Sequence, residues 1–329
     1  MKFIAITVDG LEEISSNEIE EVLDAKITEK TKGKIIFESE EEFLISALRS
    51  IDKALILIDK FQFKDMGEIV NQFSKIDLKN HLKNTFMVRC HRTGEHNFTS
   101  QDIEKEIGEI IFTNNIQKVD LKNPDTIVYI DIENNDCIVG IDLTKTKLSR
   151  RDYRIKVHAG SINSLIAYCL VRLSDFKENE LLLDPFCNDG VICIEAALYK
   201  KGRVIGFDEK SGCIKSCIVN SKIANMDIKF ENEFIDNLDK KFQKEEIDKI
   251  VTKIPYYSKS KNKYENISNK LFEKSNNILK NEGAIIILSQ KPEILKESAK
   301  KNNFKLEKET ILPSKDNQSS YILVFKKNI

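Results

Sequence analysis

Apolar residues recur at two different periods over the first 60 residues, and their order predicts a small α+β domain. KFIAITV is typical of a strand, whereas GLEEISSNEIEEVL carries apolar residues at helical spacing. ITEKTKGKIIFE predicts a hairpin that turns near Gly33, EEFLISALRS predicts a second helix, and KALILIDKF predicts a closing strand. The order strand, helix, hairpin, helix, strand is typical of a ferredoxin-like domain.

A second α+β region follows over residues 61–144. MGEIVNQFSKI predicts a helix, TFMVRCHR a strand, and TSQDIEKEIGEIIFTNN a helix with Thr99 or Ser100 as its N-cap. TIVYIDIE and DCIVGIDLT predict two paired strands that turn at Asn134 and Asn135. Residues 145–160 then contain a basic segment, and we interpret them as a linker.

From residue 161 to residue 329 the pattern becomes a longer alternation of strands and helices. This alternation predicts a Rossmann-like, doubly wound and mostly parallel sheet. FKLEKETIL and SSYILVFKK are consecutive predicted strands at the end of the chain, so we expect an antiparallel edge. The overall class is therefore α/β, with two small α+β regions preceding a larger domain.

Composition excludes several classes of protein. Of the 329 residues 41% are hydrophobic and 32% are charged, yet no apolar run has the roughly 18–20 residues of a membrane helix. The N-terminus lacks the layout of a signal peptide, so we expect a cytoplasmic protein without a membrane partner. Seven cysteines form no CxxC pair and only four histidines are present, which predicts reduced buried thiols and no metal site.

Positive charge is concentrated in one stretch of the chain. The net charge of −1 argues against a uniformly basic nucleic-acid coat. The segment KTKLSRRDYRIK, residues 145–156, nevertheless holds six basic residues against one acid. From charge alone, this segment is either a solvated linker or a strip that contacts phosphates.

Candidate chemistry lies where the strands of the larger domain end. The first strand ends in Asp184-Pro185-Phe186-Cys187, the second ends at Asp208, and the fourth ends in Lys253-Ile254-Pro255-Tyr256. An open α/β sheet binds its ligand beyond these strand ends, and an acid after the second strand suits the hydroxyls of a ribose. Because the G-x-G-x-x-G phosphate motif is missing, the arrangement favours an adenosyl cofactor over NAD.

These motifs resemble those of a known family. Asp-Pro-Phe-Cys-x-x-Gly, the acid closing strand two and x-x-Pro-Tyr closing strand four are similar to class I S-adenosylmethionine methyltransferases that act on amino groups. Residues 86–108 and 123–144 resemble a THUMP RNA-binding domain, and residues 148–167 resemble the linker that follows it. The whole chain therefore resembles archaeal THUMP-containing tRNA guanosine-N2 methyltransferases, with tRNA and not DNA as the expected partner.

The resemblance implies roles by position. It implies S-adenosylmethionine as the cofactor and a catalytic motif that orients the guanine exocyclic amine, namely Lys253, Ile254, Pro255 and Tyr256. Cofactor-binding positions would be Asp184, Phe186, Cys187, Asn188, Asp189, Gly190, Asp208 and Glu233. RNA-binding positions would be Arg89, Arg92, His96, Thr99, Ser100 and Gln101 in the THUMP region, with Lys147, Arg150, Arg151 and Arg154 extending the basic track toward the catalytic cleft.

The sequence departs from the family pattern at two places. Lys253 stands where the family has Asn or Asp, and a charged lysine donates hydrogen bonds but accepts none. Asn188, Asp189 and Val191 replace Gly, Ser and Thr in the cofactor loop; Asn tolerates a left-handed backbone, whereas the charge of Asp189 would repel a ligand carboxylate. Three interpretations follow: an active tRNA methyltransferase, an RNA-binding scaffold or partner subunit with an impaired site, or a small-molecule methyltransferase with an unrelated N-terminal domain.

Overall fold

The computed structural model describes residues 1–114, 117–255, 260–314 and 318–328. It divides the chain into two compact units. Unit 1 comprises Met1–Ile6, Ile19–Leu48 and Asp52–Lys147, and unit 2 comprises Thr7–Glu18, Arg49–Ile51 and Leu148–Ile329. The N-terminal 60 residues thus contribute to both units.

Unit 1 is built on one eight-stranded sheet. Its strands are β1 Lys2–Ile6, β2 Lys26–Thr31, β3 Lys34–Glu38, β4 Lys53–Gln62, β5 Thr85–Thr93, β6 Lys118–Val119, β7 Thr126–Glu133 and β8 Asp136–Asp142. The helices in this part of the sequence are α1 Glu12–Leu23, α2 Met66–Phe73 and α3 Ser100–Asn114, with α1 divided between the units after Glu18.

The strand order of this sheet joins the two predicted α+β regions. The order is β2-β3-β1-β4-β8-β7-β5-β6, and β4 pairs antiparallel with β8 from Leu55 opposite Asp142 to Gln62 opposite Asp136. The predicted boundary between residues 60 and 61 therefore falls inside β4. The hairpin of β2 and β3 at Gly33 and that of β7 and β8 at Asn134 form as predicted.

The helix predicted for EEFLISALRS is replaced by a short 3-10 turn, Glu42–Ala47. The N–H of Leu48 closes the turn on the Ile45 carbonyl, and a helix cannot continue beyond it because the following backbone donors are bonded elsewhere. The N–H groups of Arg49 and Ser50 donate to the Glu18 carboxylate at 2.9 and 2.8 Å. The apolar spacing of the segment predicted a helix. This spacing contains no information about the Glu18 carboxylate, which is distant in the sequence.

Unit 2 contains the predicted Rossmann-like sheet. Its strands are β9 Leu181–Asp184, β10 Arg203–Asp208, β11 Lys229–Asn232, β12 Ile247–Lys253, β13 Leu279–Ser289, β14 Phe304–Leu312 and β15 Ser320–Lys327. Its further helices are α4 Ser164–Leu173, α5 Val191–Tyr199, α6 Ser211–Ile223, α7 Leu238–Lys241, α8 Lys261–Ile278 and α9 Pro292–Lys301.

The order of this sheet is β11-β10-β9-β12-β13-β15-β14. The first five strands run parallel, and β15 pairs antiparallel with β13 and with β14, so the mostly parallel sheet with an antiparallel edge is confirmed. Apolar side chains form two clusters, one of which includes residues of α4, α5 and α6 and the other residues of α8 and α9. The point where strand order reverses lies between β9 and β12, at whose carboxyl ends a ligand crevice is expected.

Among the helices in the described ranges, none combines the length and the apolar character needed to cross a bilayer.

Candidate active site

The loop between β9 and α5 has the backbone that its sequence predicts. Asn188 is left-handed with φ 52° and Gly190 follows with φ 81°. The N–H of Gly190 donates to the Cys187 carbonyl at 2.7 Å, and the N–H of Cys187 donates to the Phe207 carbonyl at 2.8 Å. The expectation that Asn188 keeps the turn is confirmed, since asparagine tolerates this region better than most residues.

Two buried carboxylates stand at the ends of neighbouring strands. Asp184 accepts from the Thr252 hydroxyl at 2.6 Å and from the Phe186 N–H at 3.1 Å. Its burial raises its pKa to about 7, although these two hydrogen bonds oppose the shift. Asp208 accepts from the Asn188 N–H at 3.1 Å, which ties the end of β10 to the loop between β9 and α5.

Glu233 follows β11 and supplies a third carboxylate. The Asn237 side-chain amide, the Phe234 N–H and the Lys241 ammonium lower the pKa of Glu233 to about 2. This carboxyl is therefore ionised throughout the physiological range and remains a hydrogen-bond acceptor.

The end of β12 carries the positions that the resemblance assigns to catalysis. Lys253 donates through Nζ to the carbonyl of Gly160 at 2.6 Å, and burial lowers its pKa. The side chain of Ile254 is buried in the core, whereas Pro255 borders the same cavity as Lys253. Tyr256 lies outside the described residues.

A cavity of about 360 Å³ lies among these strand ends, a volume typical of small-ligand sites. Its lining is rich in acceptors and in negative charge. The polar and charged residues that border it include Asp184, Asn188, Asp189, Asp208, Glu209, Glu233, Lys210 and Lys253. Such a lining fits an adenosyl cofactor, whose ribose hydroxyls, adenine amine and ammonium are donors and whose sulfonium is positive.

Arg154 does not lie on an exposed phosphate-binding strip. Its Nε and Nη2 both reach Oδ2 of Asp189 at 2.9 Å, and its guanidinium also donates to the hydroxyls of Ser161 and Ser164. The side chain of Asp189 is fully buried and that of Arg154 is 13% exposed. The charge of Asp189, expected to repel a ligand carboxylate, is therefore paired within unit 2.

The side chain of Arg151, predicted to contact RNA, is 8% exposed and pairs with an acid of the same unit. Its Nε donates at 3.0 Å to Glu195, a carboxylate of α5 with no exposed surface. Arg49 binds the same carboxylate with two hydrogen bonds of 2.8 and 2.9 Å, and the Tyr153 hydroxyl donates to it at 2.7 Å. Arg151 and Arg154 are thus ion-pair partners of buried acids. A buried carboxylate without a counter-charge would be strongly destabilising, and these two arginines supply that charge.

The remaining basic positions of the linker are exposed. Arg150 lies at the surface of unit 2. Lys147 belongs to unit 1, where its ammonium pairs with Asp52 at 2.9 Å while the side chain stays 65% exposed. Both side chains are accessible to a phosphate.

In unit 1 the predicted RNA-binding residues differ in how exposed they are and in how many hydrogen bonds they make. Arg89 is exposed on β5. Arg92 donates to Nδ1 of His96 at 2.9 Å and to the Gly94 carbonyl at 3.2 Å, while Nε2 of His96 bonds the Asn134 carbonyl at 2.6 Å. Arg92 and His96 therefore hold the loop after β5 together as well as bordering the surface.

Thr99 proves to be the N-cap of α3. Its N–H and hydroxyl bond Oδ2 of Asp102 at 2.7 and 2.8 Å, and the Asp102 N–H reaches back to the Thr99 hydroxyl at 3.2 Å. This reciprocal pair is a capping box with aspartate in the third position. Ser100 is the first residue of the helix and is half-buried.

The sequence analysis did not predict the ion pairs of Glu195. Glu195 is the one charged residue in VICIEAALY, the sequence of α5. A charged residue inside an otherwise apolar helix is rarely buried without a partner. The position of this acid therefore indicates a buried ion pair. Its partners lie far away in the chain and could not be named from the pattern.

Comparison with known proteins gives the family context of this site. The RMKL-like methyltransferase domain family matches residues 151–319, over half of the chain, and the THUMP domain matches residues 63–142. A tRNA (guanine(6)-N2)-methyltransferase of Methanocaldococcus jannaschii is 36% identical over 217 residues, 61% of this chain and 57% of that relative. The human U6 snRNA (guanine-N(2))-methyltransferase THUMPD2 is 29% identical over 180 residues, 54% of this chain and 35% of that relative.

A solved structure extends the fold comparison to the whole chain. TrmN from Thermus thermophilus superimposes with a TM-score of 0.84, covering 99% of both chains at 22% identity. That likeness is one of fold. The sequence matches, by contrast, cover about half or less of the two curated relatives named above.

Proposed function

The chain belongs to the RMKL-like methyltransferase family and carries a THUMP domain, and on that basis we propose that it transfers a methyl group from S-adenosylmethionine to the exocyclic N2 of a guanosine in tRNA. The observation that carries the proposal is the acceptor-lined cavity at the carboxyl ends of β9, β10 and β12. The activities in the names of the relatives supply the substrate class, guanine N2 in RNA.

Different residues of the cavity would bind different parts of the cofactor. Asp208 would accept from the ribose hydroxyls, and Glu233, ionised at neutral pH, would accept from the adenine amine. When bound, S-adenosylmethionine supplies an electrophilic methyl group on a sulfonium. The negative lining of the cavity favours that positive charge.

The guanine that receives the methyl group would lie at the end of β12. Pro255 borders the cavity beside Lys253, and the backbone carbonyl of Ile254 would accept from the guanine amine and orient it. Such orientation aligns the nitrogen lone pair with the reacting carbon. A base inside duplex tRNA must first leave its stack to reach this position.

The proposal is tested by cofactor binding followed by methyl transfer. Calorimetric titration with S-adenosylmethionine should show saturable binding, and tritiated methyl should then appear in N2-methylguanosine of an unmodified tRNA transcript. No heat at millimolar ligand would overturn the proposal. A transcript in which the modified guanosine is replaced by adenosine serves as the control.

For tRNA binding we expect exposed arginines in both units to contribute. Arg89→Ala and Arg150→Ala should each weaken affinity and reduce the slope of log K against log salt by roughly one, because each removes about one phosphate contact. Filter binding at several salt concentrations measures both quantities. Lys177→Ala, an exposed change at the turn after α4, is the matched control, and an unchanged slope in both arginine variants would contradict the proposed surface.

A further inference from the structure

Two thiols are in contact beside the cavity of unit 2. Sγ of Cys187 lies 3.6 Å from Sγ of Cys217. Cys187 follows β9 and borders the cavity, whereas Cys217 belongs to α6 and has no exposed surface. The two residues are 30 positions apart in the chain, so the fold and not the sequence brings them together. Two sulfur atoms in contact need only a small movement to form a disulfide.

Cys217 is also bonded to the loop between β9 and α5. Its thiol donates to the Asn188 carbonyl at 3.3 Å, and the N–H of Asn188 donates to Asp208 at 3.1 Å. A Cβ placed on Gly190 would lie 3.3 Å from Sγ of Cys217, so this loop and α6 approach each other closely. A covalent bond between Cys187 and Cys217 would remove the thiol donor and shift the loop that contacts Asp208.

We propose that Cys187 and Cys217 form a reversible disulfide when a peroxide enters the cavity, and that this bond weakens cofactor binding. The effect on the cofactor rests on the proposed function. In the first step the sulfur of Cys187 attacks one oxygen of hydrogen peroxide, the O–O bond breaks, and a sulfenic acid and water form. In the second step the sulfur of Cys217 attacks the sulfenic sulfur and a second water leaves. The two thiols lose two electrons and two protons, and the peroxide takes up both.

The burial of Cys187 decides which step is slow. Burial raises the pKa of the Cys187 thiol, so little thiolate is present at neutral pH and the first step is slow. The second step is fast because Cys217 is already in contact. The sulfenic acid therefore becomes a disulfide before it is oxidised further to sulfinic acid. A cofactor bound in the cavity would keep peroxide away from Cys187.

Peptide mass spectrometry of the full chain after treatment with hydrogen peroxide tests the thiol pair. We expect a crosslink between Cys187 and Cys217 that dithiothreitol reverses. With S-adenosylhomocysteine bound, the crosslink should form about tenfold more slowly, because oxidation depends on access to the thiol. Absence of the crosslink in the unaltered chain, or an equal rate in the presence of bound ligand, would overturn the proposal.

Two variants separate the thiol pair from general oxidation. Cys217→Ser keeps a donor for the Asn188 carbonyl but cannot form the bond, so it should accumulate sulfinic acid at Cys187. Cys213→Ser changes another thiol that borders the cavity and is the matched control. It should form the crosslink at the rate of the unaltered chain, and loss of the crosslink in this control would contradict the assignment of the pair.

Calorimetry before and after oxidation tests the effect on the cofactor. The crosslinked chain should bind S-adenosylhomocysteine about 10-fold more weakly, the effect of one lost hydrogen bond. Dithiothreitol should restore the affinity of the unaltered chain but not that of Cys217→Ser, because thiols do not reduce a sulfinic acid. Unchanged affinity of the crosslinked chain would overturn the regulatory part of the proposal. A reduced chain that binds no S-adenosylhomocysteine contradicts the proposed function, whereas the crosslink is measured without ligand and tests the thiol pair by itself.

Discussion

Glu195→Gln is expected to lower the free energy of unfolding of unit 2 by about 3–5 kcal/mol, because it leaves the largely buried guanidinium of Arg151 and the partly buried one of Arg49 without their counter-charge. Arg49 and Arg151 both bind this carboxylate, and their side chains are 26% and 8% exposed. A glutamine keeps the size and one acceptor but not the charge. Urea unfolding followed by circular dichroism measures the change.

The matched control is a surface acid of the same unit. Glu293 pairs with Lys296 at 2.8 Å, but its side chain is 77% exposed, and an exposed ion pair of this kind contributes about 0–1 kcal/mol. Glu293→Gln should therefore leave the unfolding midpoint almost unchanged. Equal, small effects in the two variants would show that the Glu195 ion pairs are not needed for stability.

Lys253→Asn is expected to raise kcat/KM for methyl transfer to tRNA by about 10- to 100-fold. Asparagine supplies a side-chain acceptor for the guanine amine, and a well-placed hydrogen bond in a catalytic site is worth at least this factor. The substitution also removes an ammonium that opposes the positive sulfonium. Because both effects act on the reacting groups, the gain should appear in kcat more than in the KM for the cofactor.

Lys253→Met separates these two causes. Methionine removes the ammonium and its bond to Gly160 but provides no comparable acceptor. We expect it to raise the rate less than asparagine does. Equal rates in the methionine and asparagine variants would reject the acceptor explanation, and no transfer by any of the three chains despite cofactor binding would favour the scaffold interpretation.

Sequence pattern predicted the features that depend on neighbours along the chain. The strand alternation, both hairpin turns and the left-handed Asn188 follow from local apolar period and backbone preference. The pairing of Arg154 with Asp189 and of Arg49 with Glu195 joins residues 35 and 146 positions apart. Only tertiary packing decides such pairs. The sequence therefore predicted that residues 145–156 form one continuous basic surface, whereas the side chains of Arg151 and Arg154 are mostly buried.

The pairing of β4 with β8 has a consequence for any attempt to isolate the THUMP domain as a fragment. The THUMP match begins at residue 63, just after β4 ends at Gln62. A fragment cut at that point would keep β8 but lose the strand that covers it, leaving a row of unpaired backbone groups of the kind that promotes edge-to-edge aggregation. The stretch matched by the THUMP family is therefore shorter than the sheet to which its strands belong.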